Sequence, residues 1–509
     1  MINKGILSIL ILTGLACSTP DPKVSFDEDF CAGIHRNDSL SLSDELESIA
    51  HLMKDRTGVY VLEDGAGSMV TRAWLTEYSE KTIDIQYFIF SVDNIGLIAL
   101  DYLVRAADRG VKVRILIDDI MVEAKIEDLL MLDSHKYIDI KIYNPGVNLG
   151  KNIFEKLKHF ATDYRGSNQR MHNKTFIVDD KVVITGGRNI ADEYFDYDHE
   201  YNFRDRDVLL LGKATKNVSS SFSEFWHSSL SVSVSEIGNE EDEKLIDPAR
   251  FELLHQYACN PENFWPQIRT RIQNLPSAFD RIKDSNEITW LDEVEFISDK
   301  PGKNDGSEGL GGGGLTTDAL ISLIQNAKSS IEIQTPYLIT TELSRNLFKD
   351  ATSRGVKIRI LTNSLSSTDN LEAFSGYKRD RDALLNTGVR IYEFRPDAAV
   401  RREIMTGALQ EKLDYSPIFG LHAKSLVIDV KITVIGTFNL DPRSANLNTE
   451  CITIIQSEEV AAKVLSRMEV EFLPENSWET TLDWNPDDFA GNAKRLKTWT
   501  RKVVPKNIL

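Results

Sequence analysis

Two duplicated α/β domains, each an α/β/α sandwich and related to the other by pseudo-twofold symmetry, are the fold that these 509 residues predict. Three observations predict it. The chain is too long for one small core. Strands alternate with helices, which implies a mostly parallel sheet covered on both faces. The order also recurs: Val111-Lys112-Val113-Arg114-Ile115-Leu116 in the first half has a near copy, Val356-Lys357-Ile358-Arg359-Ile360-Leu361, in the second. Corresponding positions lie roughly 245–251 residues apart, far beyond the period of a solenoid, so the chain reads as one duplicated unit.

The elements follow in order. Residues 1–17 read as a signal segment: Lys4, an apolar run from Gly5 to Ala16 too short to cross a bilayer, then Cys17. Gly14-Leu15-Ala16-Cys17 resembles a bacterial lipoprotein cleavage box, which would make Cys17 the lipidated terminus; the alternative is an ordinary signal peptide with a chance cysteine. Residues 18–60 form an N-terminal extension and 61–232 the first domain. In that domain a strand from Thr82 precedes a helix ending at Arg109-Gly110, where glycine suits a helix C-terminus. Strands at Val111–Leu116 and Ile138–Ile142 follow, the last running into Pro145. Residues 233–314 have no counterpart in the first half and read as a linker or insertion, with an acidic run at Glu240–Glu243 and a glycine run at Gly311–Gly314 that lacks the Lys-Ser/Thr of a phosphate loop. The second domain, 315–475, repeats the pattern with strands from Ser330, Val356 and Val389 and helix end Arg354-Gly355. A tail, 476–509, closes the chain.

One pattern stands twice at equivalent places: His172-x-Lys174, Asp179, Gly186-Gly187-Arg188-Asn189, and His422-x-Lys424, Asp429, Gly436-Thr437-Phe438-Asn439, with equal spacings. A single His-x-Lys on a strand is a surface accident; a full pattern repeated in a duplicated fold is not. β-rich runs flank a short polar break in each copy. Two-residue turns at Asp180-Lys181 and Val430-Lys431 would pair Lys174 with Gly187, His172 with Asn189, Lys424 with Thr437 and His422 with Asn439. Alternation then puts each His and Lys on one face. Such a set suits a phosphodiester. Two lysines and two amides neutralise and orient its oxygens, one imidazole attacks phosphorus, and the other moves the proton of the leaving and entering alcohols. No metal or other cofactor is required and no metal-ligand spacing is visible.

These segments resemble the two HKD motifs of the phospholipase D superfamily over nearly the whole mature chain. Arg170-Met171-His172-Asn173-Lys174, Phe438-Asn439-Leu440-Asp441-Pro442-Arg443-Ser444 and Asn448-Thr449-Glu450 are similar to bacterial cardiolipin synthases of the third type. The resemblance implies two phospholipase D-like domains sharing one active site. His172, Lys174, Asp179, His422, Lys424 and Asp429 form its catalytic set, with one His the nucleophile, leaning to His172, and the other the acid/base. Asn189 and Asn439 would bind phosphate. An acid after each motif orients a histidine: Glu450 in the second half, and in the first Asp205, with Glu200 and Asp207 as rivals. Asp179 and Asp429, at the hairpin turns, suit a structural part better than contact with phosphorus.

The implied reaction is phosphatidyl transfer to phosphatidylglycerol from another phospholipid such as phosphatidylethanolamine, through a phosphohistidine, or phospholipase D hydrolysis when water is the acceptor. The expected partners are those phospholipids and a membrane surface, with room for an accessory protein. A formal charge of −19 argues against nucleic acid, although an exported nuclease or general phosphodiesterase on the same site is the alternative. The expected place is the bacterial cell envelope, facing the periplasm. Two basic segments bear on membrane contact. Residues Lys151–Arg165 suit either an amphipathic surface helix or core packing, and Lys494–Leu509, with six Lys/Arg and no acid, suits an interface or a solvated terminus. Export would allow two of Cys31, Cys259 and Cys451 to pair.

Overall fold

The structure, a computed structural model, describes residues 30–34, 41–146, 148–149, 168–284, 287–303, 310–405, 415 and 417–509. The signal segment with Cys17 and the basic stretch 151–165 lie outside the described residues.

The first half supplies β1 (Thr57–Leu62), β2 (Thr82–Tyr87), β3 (Lys112–Asp118), β4 (Ile138–Tyr143), β5 (Thr175–Val178), β6 (Val182–Gly186), β7 (Tyr201–Arg204), β8 (Asp207–Gly212), β9 (Ser231–Ser233) and β10 (Thr289–Leu291). The second supplies β11 (Val294–Ser298), β12 (Ser330–Gln334), β13 (Lys357–Asn363), β14 (Arg390–Phe394), β15 (Ile418–Leu421), β16 (Ser425–Ile428), β17 (Ile432–Gly436), β18 (Cys451–Gln456) and β19 (Ser477–Thr480). One sheet runs β10-β1-β8-β6-β5-β2-β3-β4-β9 and the other β11-β18-β17-β16-β12-β13-β14-β19. They match strand for strand, with β10 the extra edge, so the duplication is carried through the whole sheet.

The sheets are not mostly parallel. Only β2-β3-β4 and β12-β13-β14 run parallel, and every other neighbour is antiparallel. The reason is that each His-x-Lys hairpin, β5-β6 and β16-β17, is inserted in the middle of its sheet, and a hairpin can pair only antiparallel. The segment between the halves is also more than a linker: it gives β10 to one sheet and β11 to the other, while β19, from the tail, closes the second.

The hairpin register differs by one residue from the two-residue turn. Val178 pairs with Val182 and Ile428 with Ile432, so each ladder leaves one residue over. The turns centre on Asp179-Asp180 (φ 52° and 55°) and Asp429-Val430 (φ 54° and 52°). Aspartate tolerates this left-handed region, and its carboxylate is held there by backbone donors. Asp179 accepts from the N–H groups of Glu80, Lys81 and Thr82 at 2.7–2.8 Å. Asp429 accepts from those of Lys328, Ser329 and Ser330 at 2.6–3.1 Å. Val430, β-branched and exposed, gains nothing comparable. We expect Val430→Asn to raise stability in urea unfolding by about 1 kcal/mol, since the strain of a left-handed β-branched residue is of that order.

Helices cover the outer faces, and their ends follow the sequence. Asp64 and Asp93 cap Gly65–Tyr78 and Asn94–Asp108 by accepting from Gly67 and Gly96 N–H. Gly110 (φ 94°) and Gly355 (φ 90°) end their helices in the left-handed conformation that Arg-Gly foretold. A middle layer joins the halves. Ile177, Val183 and Leu210 of the first sheet, Val427, Ile435 and Ile455 of the second, Phe225 of helix Thr215–Trp226 and Val464 of helix Glu458–Glu471 form one buried cluster. Cys31 and Cys259 are joined in a disulfide, and Cys451 is free and buried.

Candidate active site

The site is built where the backbones of the halves cross. Arg170-Met171-His172 lies parallel beside Thr449: Thr449 N–H donates to the Arg170 carbonyl and His172 N–H to the Thr449 carbonyl, both at 2.9 Å. That pairing sets Glu450 of the second half against His172 of the first. In the mirrored position β15 pairs with β7, Leu421 opposite Arg204, and the N–H groups of His422 and Ala423 donate to the Arg204 carbonyl at 2.8 and 2.9 Å. Asp205 of the first half therefore meets His422 of the second.

The side chains complete the crossing. His172 Nδ1 lies 2.8 Å from Glu450 Oε2, and His422 Nδ1 lies 2.6 Å from Asp205 Oδ2. With each Nδ1–H donated to its acid, Nε2 is left as the working nitrogen. Both acids named from the sequence take part, each orienting the other half's histidine. Of the rivals, Asp207 is spent on Arg72 and Arg188 (3.1 and 3.4 Å), and Glu200 lines the cavity while the ring nitrogens bond to Glu450 and Asp205. Lys174 Nζ donates to the His172 carbonyl at 2.8 Å; Lys424 Nζ donates to the His422 carbonyl and lies 3.1 Å from His422 Nε2.

The two acid–histidine pairs differ electrically. Burial opposes the charge of Asp205, but His422, Lys424 and Arg188 outweigh it and hold the carboxyl well below the usual range. Burial raises Glu450 to about 8, against Lys174 and the Thr437 hydroxyl that donates to it. Burial and Lys424 lower His422 to about 4, with Asp205 opposing. Burial, Lys174 and Lys424 push His172 well below its ordinary value, to a neutral imidazole. Burial and the neighbouring Lys424 bring Lys174 to about 7, and burial brings Lys424 to about 8. These are lysines in want of an anion.

His172 and His422 line a cavity of about 740 Å³ together with Asn189 and Asn439. The amides are unlike. Asn189 is braced in the wall, accepting from Ile89 N–H (3.1 Å) and donating to Tyr194 Oη (2.8 Å), whereas the buried Asn439 Oδ1 has no partner among the described residues. Asp179 and Asp429, counted with the catalytic set by their motif, sit at the far end of the hairpins with their carboxylates tied to backbone, and do not line the cavity. Arg443 braces the rim, donating to the Ile508 carbonyl (3.1 Å) and Asn168 Oδ1 (2.7 Å).

Sequence reading missed the rings that hold the histidines. Phe88 meets His172 edge-on at 5.0 Å; Tyr194 and Phe203 meet His422 at 5.1 and 4.7 Å. Phe88 had a signal, since it follows β2 directly and ligands gather at the carboxyl ends of parallel strands. A Cβ on Gly187 would collide with Asp205, so the glycine lets the orienting acid approach.

A family model described as cardiolipin synthase, PLD-like domain, matches residues 76–226 and 320–471. Cardiolipin synthase C of Escherichia coli is 31% identical over 426 residues, covering 84% of this chain and 87% of that protein. An uncharacterized protein of Helicobacter pylori (strain J99) is 33% identical over 534 residues, covering 99% of each. In fold, the chain is similar to the crystal structure of phosphatidylserine synthase from Haemophilus influenzae Rd KW20, with a TM-score of 0.56, 14% identity, and 91% and 100% of the two chains covered.

Proposed function

The chain belongs to the cardiolipin synthase, phospholipase D-like family of phosphatidyltransferases and phosphodiesterases, and from that membership we propose that it joins phosphatidyl groups to phosphatidylglycerol through a covalent histidine intermediate. The observation that carries this reading is the crossed pair of acid-oriented histidines on one cavity, each with a buried lysine beside it.

His172 is the nucleophile. Its imidazole is the more strongly held neutral, and Glu450 fixes its tautomer so that the Nε2 lone pair attacks phosphorus. His422 is the acid/base, because an ionised Asp205 and an arriving phosphodiester both favour its imidazolium. In the first step the His172 N–P bond forms, the bond from phosphorus to the headgroup oxygen breaks, and His422 gives that oxygen its proton. In the second, His422 takes the proton of a phosphatidylglycerol hydroxyl, whose oxygen displaces His172. Water in place of that hydroxyl gives phosphatidic acid. Lys174, Lys424 and Asn439 hold the non-bridging oxygens.

Phosphatidylethanolamine is the proposed donor. The proposed location is the cell envelope, with Cys17 as a lipid anchor facing the periplasm; the Cys31–Cys259 disulfide suits that oxidising compartment. The full chain incubated with phosphatidylglycerol and phosphatidylethanolamine vesicles should yield cardiolipin by mass spectrometry, and omission of each lipid identifies the donor. Phosphatidic acid alone would make the enzyme a hydrolase, and unchanged lipid beside cleaved plasmid DNA would overturn the proposal.

The pH profile follows from the lysines. Both must be protonated to meet the phosphate, and their values are depressed, so kcat/KM falls as pH rises through about 7 to 8. His172 must be neutral and is so well below 6.5, so activity persists on the acid side of that value. Initial rates from pH 5 to 10 check this; a plateau reaching pH 10 would contradict it.

A further inference from the structure

The tail presents an apolar stripe to solvent instead of to the core. Helix Asn492–Thr500 and the turn Arg501–Val503 pack on helix Leu371–Leu385 through Thr498, which is buried, and Lys494, whose Nζ donates to the carbonyls of Ser366 and Thr368. Leu496, Trp499 and Val503, at helical spacing on the outer side, are 65%, 64% and 84% exposed. Trp484 and Phe489, just before them, are exposed as well and pack ring against ring. Trp484 and Trp499 are the exposed tryptophans among the described residues, and both fall in this stretch.

Charge says what covers the stripe. The chain carries −19 overall, yet from Gly491 to Leu509 it has six Lys/Arg and no acid. Arg495, Arg501 and Lys506 are paired with Asp488, Glu372 and Asp380 at 2.6–2.9 Å, while Lys497 and Lys502 form no ion pair among the described residues. Exposed Trp and aliphatic groups flanked by free lysines match the boundary between acyl chains and anionic headgroups. The segment that carries the stripe also reaches the site. The helix on which it packs begins at the cavity wall, where Asp369, Asn370 and Ala373 stand, and Ile508 and Leu509 line the same cavity.

We infer that residues 491–509 form an interfacial foot that docks on an anionic phospholipid bilayer, with Leu496, Trp499 and Val503 inserted and Lys497 and Lys502 on the headgroups, so that the cavity mouth is set at the lipid surface. The inference rests on the proposed lipid substrate only for what enters that mouth; the docking itself is independent of turnover.

The test uses the full-length chain with vesicles of phosphatidylglycerol and phosphatidylethanolamine whose acyl chains are brominated near the headgroup. Tryptophan emission should be quenched, with about half or more of the quenching lost in Trp499→Phe, because an inserted ring reports local bromine contact whatever holds the N-terminus. Leu496→Ser/Val503→Ser should lower turnover of vesicle lipid about tenfold while leaving a monodisperse short-chain phospholipid processed within about twofold, as expected when docking but not chemistry is lost. Absence of turnover in every protein would remove the proposed function while leaving the quenching readout intact. Equal quenching in wild type and Trp499→Phe would overturn the foot, as would cross-linking of Trp499 to a protein in place of lipid.

Discussion

His172→Ala and His422→Ala are each expected to lower phosphatidyl transfer by at least about 10³-fold, the order lost with a nucleophile or a proton-transfer group. The two losses should differ in kind. A donor with a p-nitrophenyl leaving group needs no proton to depart, so His422→Ala should still release one equivalent of p-nitrophenol in a burst and then stall as the His172 adduct. His172→Ala has nothing with which to form the adduct and should show no burst. The assignment comes from the difference between the rings: burial and the lysines lower both, but the ionised Asp205 opposes that lowering at His422, while burial with two lysines keeps His172 neutral. A burst in His172→Ala and none in His422→Ala would reverse the roles. Full activity in both, with folding shown by circular dichroism, would end the two-histidine account.

Arg204→Met is expected to destabilise the protein by about 3–5 kcal/mol, because breaking a buried ion pair from one side leaves the other charge uncompensated. Arg204 reaches from the first half to Glu471 of the second at 2.5 Å and also to Glu63, and both Arg204 and Glu471 are fully buried. Glu63 is lowered to about 2: burial opposes its charge, and Arg206 and Arg204 prevail. The double variant Arg204→Met/Glu471→Leu should recover much of the loss, since it removes both charges from the middle layer. Urea unfolding measures both. A single variant within about 0.5 kcal/mol of wild type would mean that water reaches this junction and screens it.

The duplication, the strands and both histidine motifs were legible because they rest on local pattern: alternation, Arg-Gly helix ends and equal spacings. Asp205 and Glu450 were legible as acids after each motif. Their crossing was not, because it depends on Thr449 pairing with Arg170 and Leu421 with Arg204, contacts between segments some 220–280 residues apart. The hairpin register was missed by one because neither Asp179-Asp180 nor Asp429-Val430 carries the glycine that marks such a turn; the carboxylates take their hold from strands far away in sequence. The edge strands β10 and β19 hid in segments of mixed composition, where pairing with an existing edge and not intrinsic pattern decides the conformation.

The central claim is that phosphorus passes through a histidine of this shared site on its way from donor to acceptor. The stereochemistry at phosphorus tests it most directly. A donor made chiral at phosphorus with sulfur and oxygen isotopes should give product with net retention of configuration, the sum of two in-line displacements, one by His172 and one by the acceptor hydroxyl. Net inversion would mean a single displacement without the covalent intermediate and would contradict the account.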